Sequence, residues 1–129
     1  MLARDIMSTH VIAVSPHTPV KDLAKTLSKN HISGAPVVDR NGKVIGVVSE
    51  SDLLARKGTR VKSIMTKNVI GVVEDTPVEE IAFLMTRQHV KRLPVIRGQK
   101  LAGIVSRADI IRAIAVGEHL ALHTPVYDL

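Results

Sequence analysis

The chain has 129 residues, of which 45% are hydrophobic and 23% are charged, a composition typical of a soluble globular protein with one hydrophobic core. The absence of cysteine excludes disulfides, thiolate metal ligands and a cysteine nucleophile, and no apolar run approaches the roughly 20 residues that cross a bilayer. The net charge of +6 favours anionic partners, while Arg4, Asp5 and His10 stand where a signal peptide would be apolar, which predicts a cytoplasmic protein.

The first half of the chain predicts a fixed order of short elements. A helical turn over Ala3 to Met7 leads into a β-branched strand, Val11 to Val14. Thr18-Pro19 then predicts the start of a helix, because Thr caps helices and Pro suits their first position. The apolar stripe of this helix is formed by Val20, Leu23, Ala24 and Leu27. Two strands around an Asn41-Gly42 turn and a last helix complete the copy: Ala35 to Val38, Val44 to Val48, and Asp52 to Arg56.

The second half predicts the same order of elements. Val61 to Met65 repeats the lead-in turn, and Thr76 with Glu79 predicts a capping box at the start of the second long helix. The apolar stripe of that helix is formed by Val78, Ile81, Ala82 and Met85. Two strands around a shorter turn at Gly98 and a final helix follow: Leu93 to Ile96, Leu101 to Val105, and Asp109 to Val116.

Identical residues recur along the chain at a spacing of 58 up to residue 96. Between residues 6–38 and 64–96, twelve of the 33 aligned positions are identical, whereas composition alone would give roughly two or three. The spacing then falls to 57 for the later matches, which are Gly46, Val48, Ser49 and Asp52 with Gly103, Val105, Ser106 and Asp109. A unit of about 55 residues is marginal as an independent domain, so we expect the two copies to pack together, with ligands bound between equivalent surfaces.

The repeated order of elements resembles the cystathionine β-synthase (CBS) domain pair, also called a Bateman module. The resemblance is carried by a strand, a Thr-Pro helix, a Pro-Val strand and Gly-hydrophobic-Val-Ser-x-x-Asp opening a helix, repeated once over about residues 1–116. It implies an α+β fold in which two tandem βαββα motifs, 1–58 and 59–116, pack with pseudo-twofold symmetry through their sheets, before a C-terminal tail over 117–129. It also implies a non-catalytic regulatory sensor that binds adenosine-containing ligands in clefts between the motifs.

The Ser and Asp that open the last helix of each copy are the central candidates for ligand binding. From the residues alone, Ser49 with Asp52 and Ser106 with Asp109 are typical of capping boxes. In the family that the chain resembles, the Asp at this place binds the ribose, and the two acceptor oxygens of a carboxylate suit the adjacent 2′ and 3′ hydroxyls. Asp52 and Asp109 are therefore the expected ribose anchors, with each Ser beside the sugar or phosphate.

Strand ends are expected to form an apolar slot for adenine, and core packing is the alternative role for these residues. The slot residues are Val11, Ile12, Val69, Ile70, Pro36 and Pro94. Phosphate recognition should differ between the copies, because the second has His89, Lys91 and Arg92 where the first has His31, Ser33 and Gly34. In related pairs, the Asp of one motif works with the basic residue of the other. On that pattern, Asp52 with Arg92 would form the stronger phosphate site.

A basic stretch between the copies supports an alternative function. Four of the seven residues from Arg56 to Lys62 are basic, which is typical of a solvated linker but also suits a phosphate-bearing partner such as nucleic acid. One Tyr and one Phe offer little for base stacking, and no recognition helix is evident. The sequence therefore favours the sensor over the nucleic-acid-binding protein.

The remaining features predict neither catalysis nor a metal site. No phosphate-binding Gly-rich loop and no nucleophile motif is present, and a polar tail is favoured over a metal site at Glu118, His119 and His123. We expect no required cofactor, only AMP, ADP, ATP or S-adenosylmethionine as a regulatory ligand. The other expected partners are a second copy of the chain and an unidentified regulated protein, but no membrane. Ile110, Ile111 and Ile114 suit either a dimer contact or packing within the chain.

Overall fold

The computed structural model describes residues 1–116 and has helices and strands in the predicted order. The helices are α1 (Ala3–Ile6), α2 (Val20–Asn30), α3 (Glu50–Ala55), α4 (Val61–Ile64), α5 (Val78–Gln88) and α6 (Arg107–Ala115). The strands are β1 (Gly34–Val38), β2 (Val44–Ser49), β3 (Arg92–Arg97) and β4 (Lys100–Ser106). The tail predicted over residues 117–129 lies outside the described residues. Within residues 1–116, no helix is both long enough and apolar enough to cross a bilayer.

The chain divides into two compact units. The first-motif unit comprises residues 12–69 and 98–101, and the second-motif unit comprises residues 1–11, 70–97 and, in the described part, 102–116. Each unit has a two-stranded sheet, β1 with β2 or β3 with β4, together with helices. The predicted α+β class is therefore confirmed.

The first-motif unit is built around an antiparallel hairpin. β1 and β2 pair from Gly34 opposite Ser49 to Val38 opposite Val44, and Gly42 in the connecting turn has the positive φ of 82° that the Asn-Gly pair predicts. Side chains of β2 alternate between buried and half-buried positions, so one face of the hairpin covers the core. The core of this unit is formed by Leu23, Leu27, Val37, Val48, Val61 and Ile64, among others.

The second-motif unit repeats this construction. β3 pairs with β4, and Gly98 in the turn between them, which is assigned to the first-motif unit, has a positive φ of 67°. The apolar stripe predicted for α5 is buried against this sheet, since Val78 and Ile81 are fully buried and Met85 is nearly so. The core also contains Ala3, Leu93, Val95, Val105 and Ile110.

The lead-in helix of each sequence copy belongs to the unit of the other copy. α1 lies in the second-motif unit, where Ala3 N–H donates to the carbonyl of Thr76 at 2.8 Å and Val78 N–H donates to that of Met1 at 3.0 Å. α4 repeats both bonds in the first-motif unit, from Val61 to Thr18 at 2.9 Å and from Val20 to Thr59 at 3.0 Å. Ala3 and Val61 are both 0% exposed, so each lead-in helix completes a core.

Two glycines allow the segment after each lead-in helix to lie close to a hairpin. A Cβ on Gly46 would stand 2.9 Å from the carbonyl oxygen of Thr66, and one on Gly103 would stand 2.9 Å from that of Ser8. Backbone bridges between Val47 and Thr66 and between Ser8 and Ile104 run beside these contacts. Gly is therefore required at both positions for close approach rather than for an unusual φ.

Three details differ from the sequence prediction, the first being that Pro19 rather than Thr18 is the N-cap of α2. The strand expected over Val11 to Val14 is reduced to a single parallel bridge from Val14 to Val37, because only Val14 exchanges backbone bonds with β1. The capping box predicted for Thr76 is wrong, since Pro77 is the N-cap of α5 and Thr76 Oγ1 instead accepts from Val73 N–H at 3.0 Å. Thr76 thus closes the turn before the helix, a competing use of a short polar side chain.

Candidate functional site

In the first-motif unit, Ser49 and Asp52 form a reciprocal cap at the start of α3. Asp52 N–H donates to Ser49 Oγ at 3.3 Å, and Ser49 N–H donates to Asp52 Oδ2 at 3.0 Å. Ser49 Oγ also donates to Asp52 Oδ2 at 3.2 Å. These bonds fix both side chains because each satisfies a backbone donor that the helix leaves unpaired.

The second-motif unit has the same arrangement at the start of α6. Asp109 N–H donates to Ser106 Oγ at 3.2 Å, Ser106 N–H donates to Asp109 Oδ2 at 2.8 Å, and the hydroxyl donates to the same oxygen at 3.0 Å. The capping role that the sequence indicated is thus present in both copies. The same donor and acceptor atoms of Ser and Asp form the cap in both motifs.

The second oxygen of each carboxylate contacts an arginine, a pairing that was not predicted from the sequence. Asp52 Oδ1 is 3.5 Å from Arg56 Nε, and Asp109 Oδ1 is 3.1 Å from Arg112 Nη1. The carboxylate side chains are only 12% and 15% exposed, whereas the arginines are 51% and 70% exposed. Exposed ion pairs of this kind are weak. A ligand hydroxyl would therefore compete with a largely exposed arginine for Oδ1 and leave the cap intact. The i+4 and i+3 spacings were the available sequence signal.

In the first-motif unit, the start of β1 lies beside the Ser49–Asp52 cap, and the predicted slot residue Pro36 follows on the same strand. Gly34 pairs with Ser49 across the sheet, and Glu50 N–H donates to the carbonyl of Ser33 at 2.9 Å, so the start of β1 and the start of α3 are adjacent. Two residues further along β1, the carbonyl of Pro36 accepts from Val14 N–H at 3.0 Å. The structure thus brings Pro36 close to the segment that begins at Ile12.

The basic residues of the second copy lie beside the cap of their own unit. The carbonyl of Lys91 accepts from Arg107 N–H at 2.9 Å, which holds the start of β3 against the start of α6. Lys91 and His89 are exposed, and His89 ends α5 in the left-handed conformation with φ of 55°. Arg92 is half-buried at the first position of β3.

Of the remaining slot residues, Pro94 makes the same kind of backbone bond as Pro36, and the others lie where the chain passes from one unit to the other. The carbonyl of Pro94 accepts from Val72 N–H at 3.0 Å, and Val72 is two residues after the slot residue Ile70. The division falls between Val11 and Ile12 and between Val69 and Ile70. The predicted partners Asp52 and Arg92 belong to different units, so their pairing stays a prediction.

A family model for the CBS domain matches the chain twice, over residues 3–58 and 61–116. The chain belongs to the CBS domain family. Its two sequence copies are the two CBS motifs, and the family assignment made from the sequence is confirmed.

Relatives of this CBS pair include an enzyme and solved structures of other CBS pairs. The chain is 34% identical over 115 residues to L-aspartate semialdehyde sulfurtransferase of Methanocaldococcus jannaschii, covering 86% of this chain but only 23% of that enzyme. The CBS pair of protein MJ0100, solved with 5′-methylthioadenosine and S-adenosylmethionine, is 32% identical with a TM-score of 0.84 over 92% of this chain and 98% of that one. CBSX2 of Arabidopsis thaliana, solved with AMP, is 32% identical with a TM-score of 0.86 over 89% of this chain and 96% of that one.

Proposed function

We propose that this CBS pair is a non-catalytic regulatory module whose ligand is an adenosine-containing molecule: AMP, ADP, ATP or S-adenosylmethionine. The observation that carries the proposal is the likeness to two CBS pairs solved with adenosine compounds, at 32% identity over nearly the whole of each chain. The repeated Ser-x-x-Asp caps add chemistry suited to the sugar of such a ligand. The ligand is regulatory rather than a cofactor, and the module acts in the cytoplasm.

Asp52 and Asp109 are the proposed ribose anchors. In each carboxylate, Oδ2 is held by the cap and Oδ1 faces an exposed arginine, so one oxygen stays available to accept from a sugar hydroxyl. The cap prevents the carboxylate from turning away, which lowers the entropy lost when the ligand binds. Ser49 and Ser106, bonded to the same carboxylates, would stand beside the sugar.

The two ligand positions should not be equivalent. His89, Lys91 and Arg92 supply positive charge in the second motif, whereas the first motif has His31, Ser33 and Gly34 at the aligned positions. We propose that Asp52 works with Arg92 to hold a phosphorylated ligand, and that Asp109 holds a ligand of lower charge. The apolar residues Val11, Ile12, Pro36, Val69, Ile70 and Pro94 would surround the adenine.

Regulation would follow from unequal affinity. A ligand changes the population of a protein's conformations only when it binds one of them more tightly than another. An adenosine compound would therefore shift the CBS pair towards one arrangement, and with it the affinity for a regulated protein. The sulfurtransferase relative has a CBS pair within a larger chain, which suits a module that controls other activities.

A thermal-shift titration with AMP, ADP, ATP, S-adenosylmethionine and NAD tests the ligand proposal. A ligand that binds the folded protein alone should add about 2.7 kcal/mol of stability at a hundredfold excess over its dissociation constant. Asp52→Ala or Asp109→Ala should abolish the shift at one position, whereas Asp22→Ala, on the exposed face of α2, should leave it unchanged.

The cap and the ligand contact can be separated in this experiment. Loss of the cap lowers the stability of the ligand-free protein by about 1 kcal/mol, whereas loss of the anchor reduces the ligand-induced increase. If no adenosine compound raises the melting temperature, the ligand proposal is wrong. If both Asp variants respond like the parent, the ribose assignment is wrong.

We also propose that the second motif mediates homodimerisation. A groove of about 530 Å³ lies between α5 and α6; its apolar lining is formed by Ala82, Met85, Val90, Ile110, Ile111 and Ile114, and its polar lining by Thr86, His89, Lys91 and Arg107. Ile111 and Ile114 of this groove are 64% and 37% exposed, and contiguous exposed apolar surface marks interaction sites. α5 begins with Glu79 and Glu80 and ends with Arg87, so two antiparallel copies of α5 would pair acidic with basic ends. This self-complementarity favours a second copy of the chain as the occupant.

A further inference from the structure

Basic residues are concentrated in one of the two units. The first-motif unit contains eleven Lys and Arg against four Asp and Glu, whereas the second-motif unit contains seven against six within residues 1–116. In the first-motif unit, Arg56 is the only described basic residue that makes an ion pair, with Asp52. The net charge of the chain is therefore a local property of one unit, with its positive side chains facing solvent.

Three of these basic residues form a line along α2. Lys21, Lys25 and Lys29 follow one another at i+4 spacing and are all exposed, so their ammonium groups share one stripe with about 6 Å of helix rise between neighbours. Like charges at this spacing destabilise a helix. α2 carries a single acidic residue, Asp22, which makes no ion pair in the described part of the chain. Within residues 1–116, no ion pair therefore offsets the positive charges of the three lysines.

The equivalent helix of the second motif lacks this stripe. The aligned positions on α5 hold Glu79, Phe83 and Arg87, a mixed set with one charge of each sign. The CBS fold therefore does not require positive charge at these positions. The lysines are a property of the first motif of this chain.

The positive surface continues from α2 onto the segment that leads into the first turn of α4. Backbone bonds hold this segment at the start of α2: Val20 N–H donates to the carbonyl of Thr59 at 3.0 Å, and Lys62 N–H donates to that of Pro16 at 2.9 Å. Arg60 Nη1 donates to the carbonyl of His17 at 2.9 Å. Because the backbone is fixed, Arg60 and Lys62 extend the stripe at its N-terminal end. We call the surface of Lys21, Lys25, Lys29, Arg60 and Lys62 the lysine face.

We infer that the lysine face binds an acidic, amphipathic helix of a partner protein. Carboxylates at i, i+4 and i+8 of a helix have the same 6 Å rise as the three lysines and can pair with them along one line. Leu54, on α3, is 86% exposed, and α3 packs on α2 within the same unit. An amphipathic helix offers an apolar side chain to cover Leu54, whereas a nucleic-acid backbone offers only charge. A second copy of this face is excluded as the occupant by repulsion between its lysines.

Fluorescence anisotropy with a labelled helical peptide of about 20 residues tests this inference. The peptide has Glu at i, i+4 and i+8 and Leu beside this stripe; a second peptide has Gln in place of Glu. Duplex DNA of similar length and vesicles containing phosphatidylserine are compared at physiological salt. The protein variants are the full chain with Lys21→Gln, Lys25→Gln and Lys29→Gln together. The matched control combines Arg40→Gln, Lys43→Gln and Lys100→Gln, which removes three charges from the hairpin region of the same unit.

The Glu peptide should bind, and the Gln peptide should not. The triple α2 variant should weaken binding by about tenfold or more, and the hairpin control by less than about threefold. Leu54→Ser should weaken peptide binding as well. The inference is wrong if the Glu peptide does not bind, if both triple variants weaken binding equally, or if Leu54→Ser has no effect. It is also wrong if DNA or vesicles bind more tightly than the peptide, which would identify a phosphate-bearing partner instead. None of these outcomes depends on the adenosine ligand.

Discussion

Glu74 joins the lead-in segment to the second motif through two arginines. Its two carboxylate oxygens accept from Arg97 Nε at 2.7 Å and Arg97 Nη2 at 2.8 Å, and its backbone carbonyl accepts from Arg4 N–H at 3.1 Å. The hydrogen bonds from Arg97 lower the pKa of Glu74 below its ordinary value of 4.5, partial burial opposes this, and the charges of Arg97 and Arg4 add to the lowering. A bidentate pair of this kind is more specific in geometry than a single contact.

Glu74→Gln should make stability less dependent on pH. Because the pKa of Glu74 is lower in the folded state, its contribution is present above about pH 4.5 and is lost as the pH falls through the folded pKa. The variant should be less stable than the parent near neutral pH, and the difference should shrink below about pH 4.5, as measured by urea denaturation. Asp22→Asn, on an exposed carboxylate of α2, is the control. A difference that stays constant down to about pH 3 would contradict the assignment.

The Ser-x-x-Asp pairs show how far single residues can be predicted. The spacing of three predicts the capping box, because the cap depends only on local backbone geometry, and the structure has it in both copies. The ion pairs of Asp52 with Arg56 and of Asp109 with Arg112 were not predicted, because i+4 and i+3 ion pairs are too common on helices to mark a site. Thr76 was misassigned because Thr can bond either forwards into a helix or backwards into a turn.

At the scale of elements, the sequence pattern of a helix predicts that it forms but not which core it packs against. Periodicity predicted α2 and α5 and the turns at Gly42 and Gly98, since these depend on neighbouring residues. It could not show that α1 and α4 pack in the unit of the other copy. Each has only four residues and one or two buried side chains, so neither contains information about which core it covers. The sequence copies and the compact units consequently have different boundaries.

Matched variants of the two lead-in helices should destabilise opposite motifs. Ala3→Ser and Val61→Thr each place one hydroxyl in a fully buried position, at a cost of about 1 to 3 kcal/mol. Hydrogen exchange should then accelerate in β3 and β4 for Ala3→Ser, and in β1 and β2 for Val61→Thr. Acceleration in the hairpin of the same sequence copy would instead mean that each motif keeps its own lead-in helix.

At the scale of the whole molecule, the two motifs differ most in their surfaces. Most core positions of the first motif have an apolar equivalent in the second, but the exposed helix positions have diverged: Lys25 aligns with Phe83, and Lys57 aligns with Ile114. Core positions are constrained by packing, whereas exposed positions are free to acquire partners. The second motif thus offers an apolar helix surface and the first a basic one. The composition gives the excess of positive charge, but only the division into units shows that one unit has nearly all of it.

Charge reversal on α5 tests the proposed dimer. Ile111→Glu should shift sedimentation from twice the chain mass towards a single chain, because it places a charge in an apolar contact. Leu54→Glu, at the aligned position of the first motif, should not. Glu80→Arg or Arg87→Glu alone should weaken the dimer, and the two together should restore it if α5 packs antiparallel on its copy. Equal loss in the double variant would rule out that arrangement, and a monomeric parent would rule out the dimer.

The reciprocal placement of α1 and α4 has a consequence for the ancestry of such a repeat. A single motif severed from this chain would carry its own lead-in helix yet lack the helix that fills its core. Two identical fragments could each place their lead-in helix in the core of the other, as domain-swapped protomers exchange an element. The duplicated polypeptide therefore keeps, within one molecule, an association that its single-copy precursor would have needed a second molecule to make.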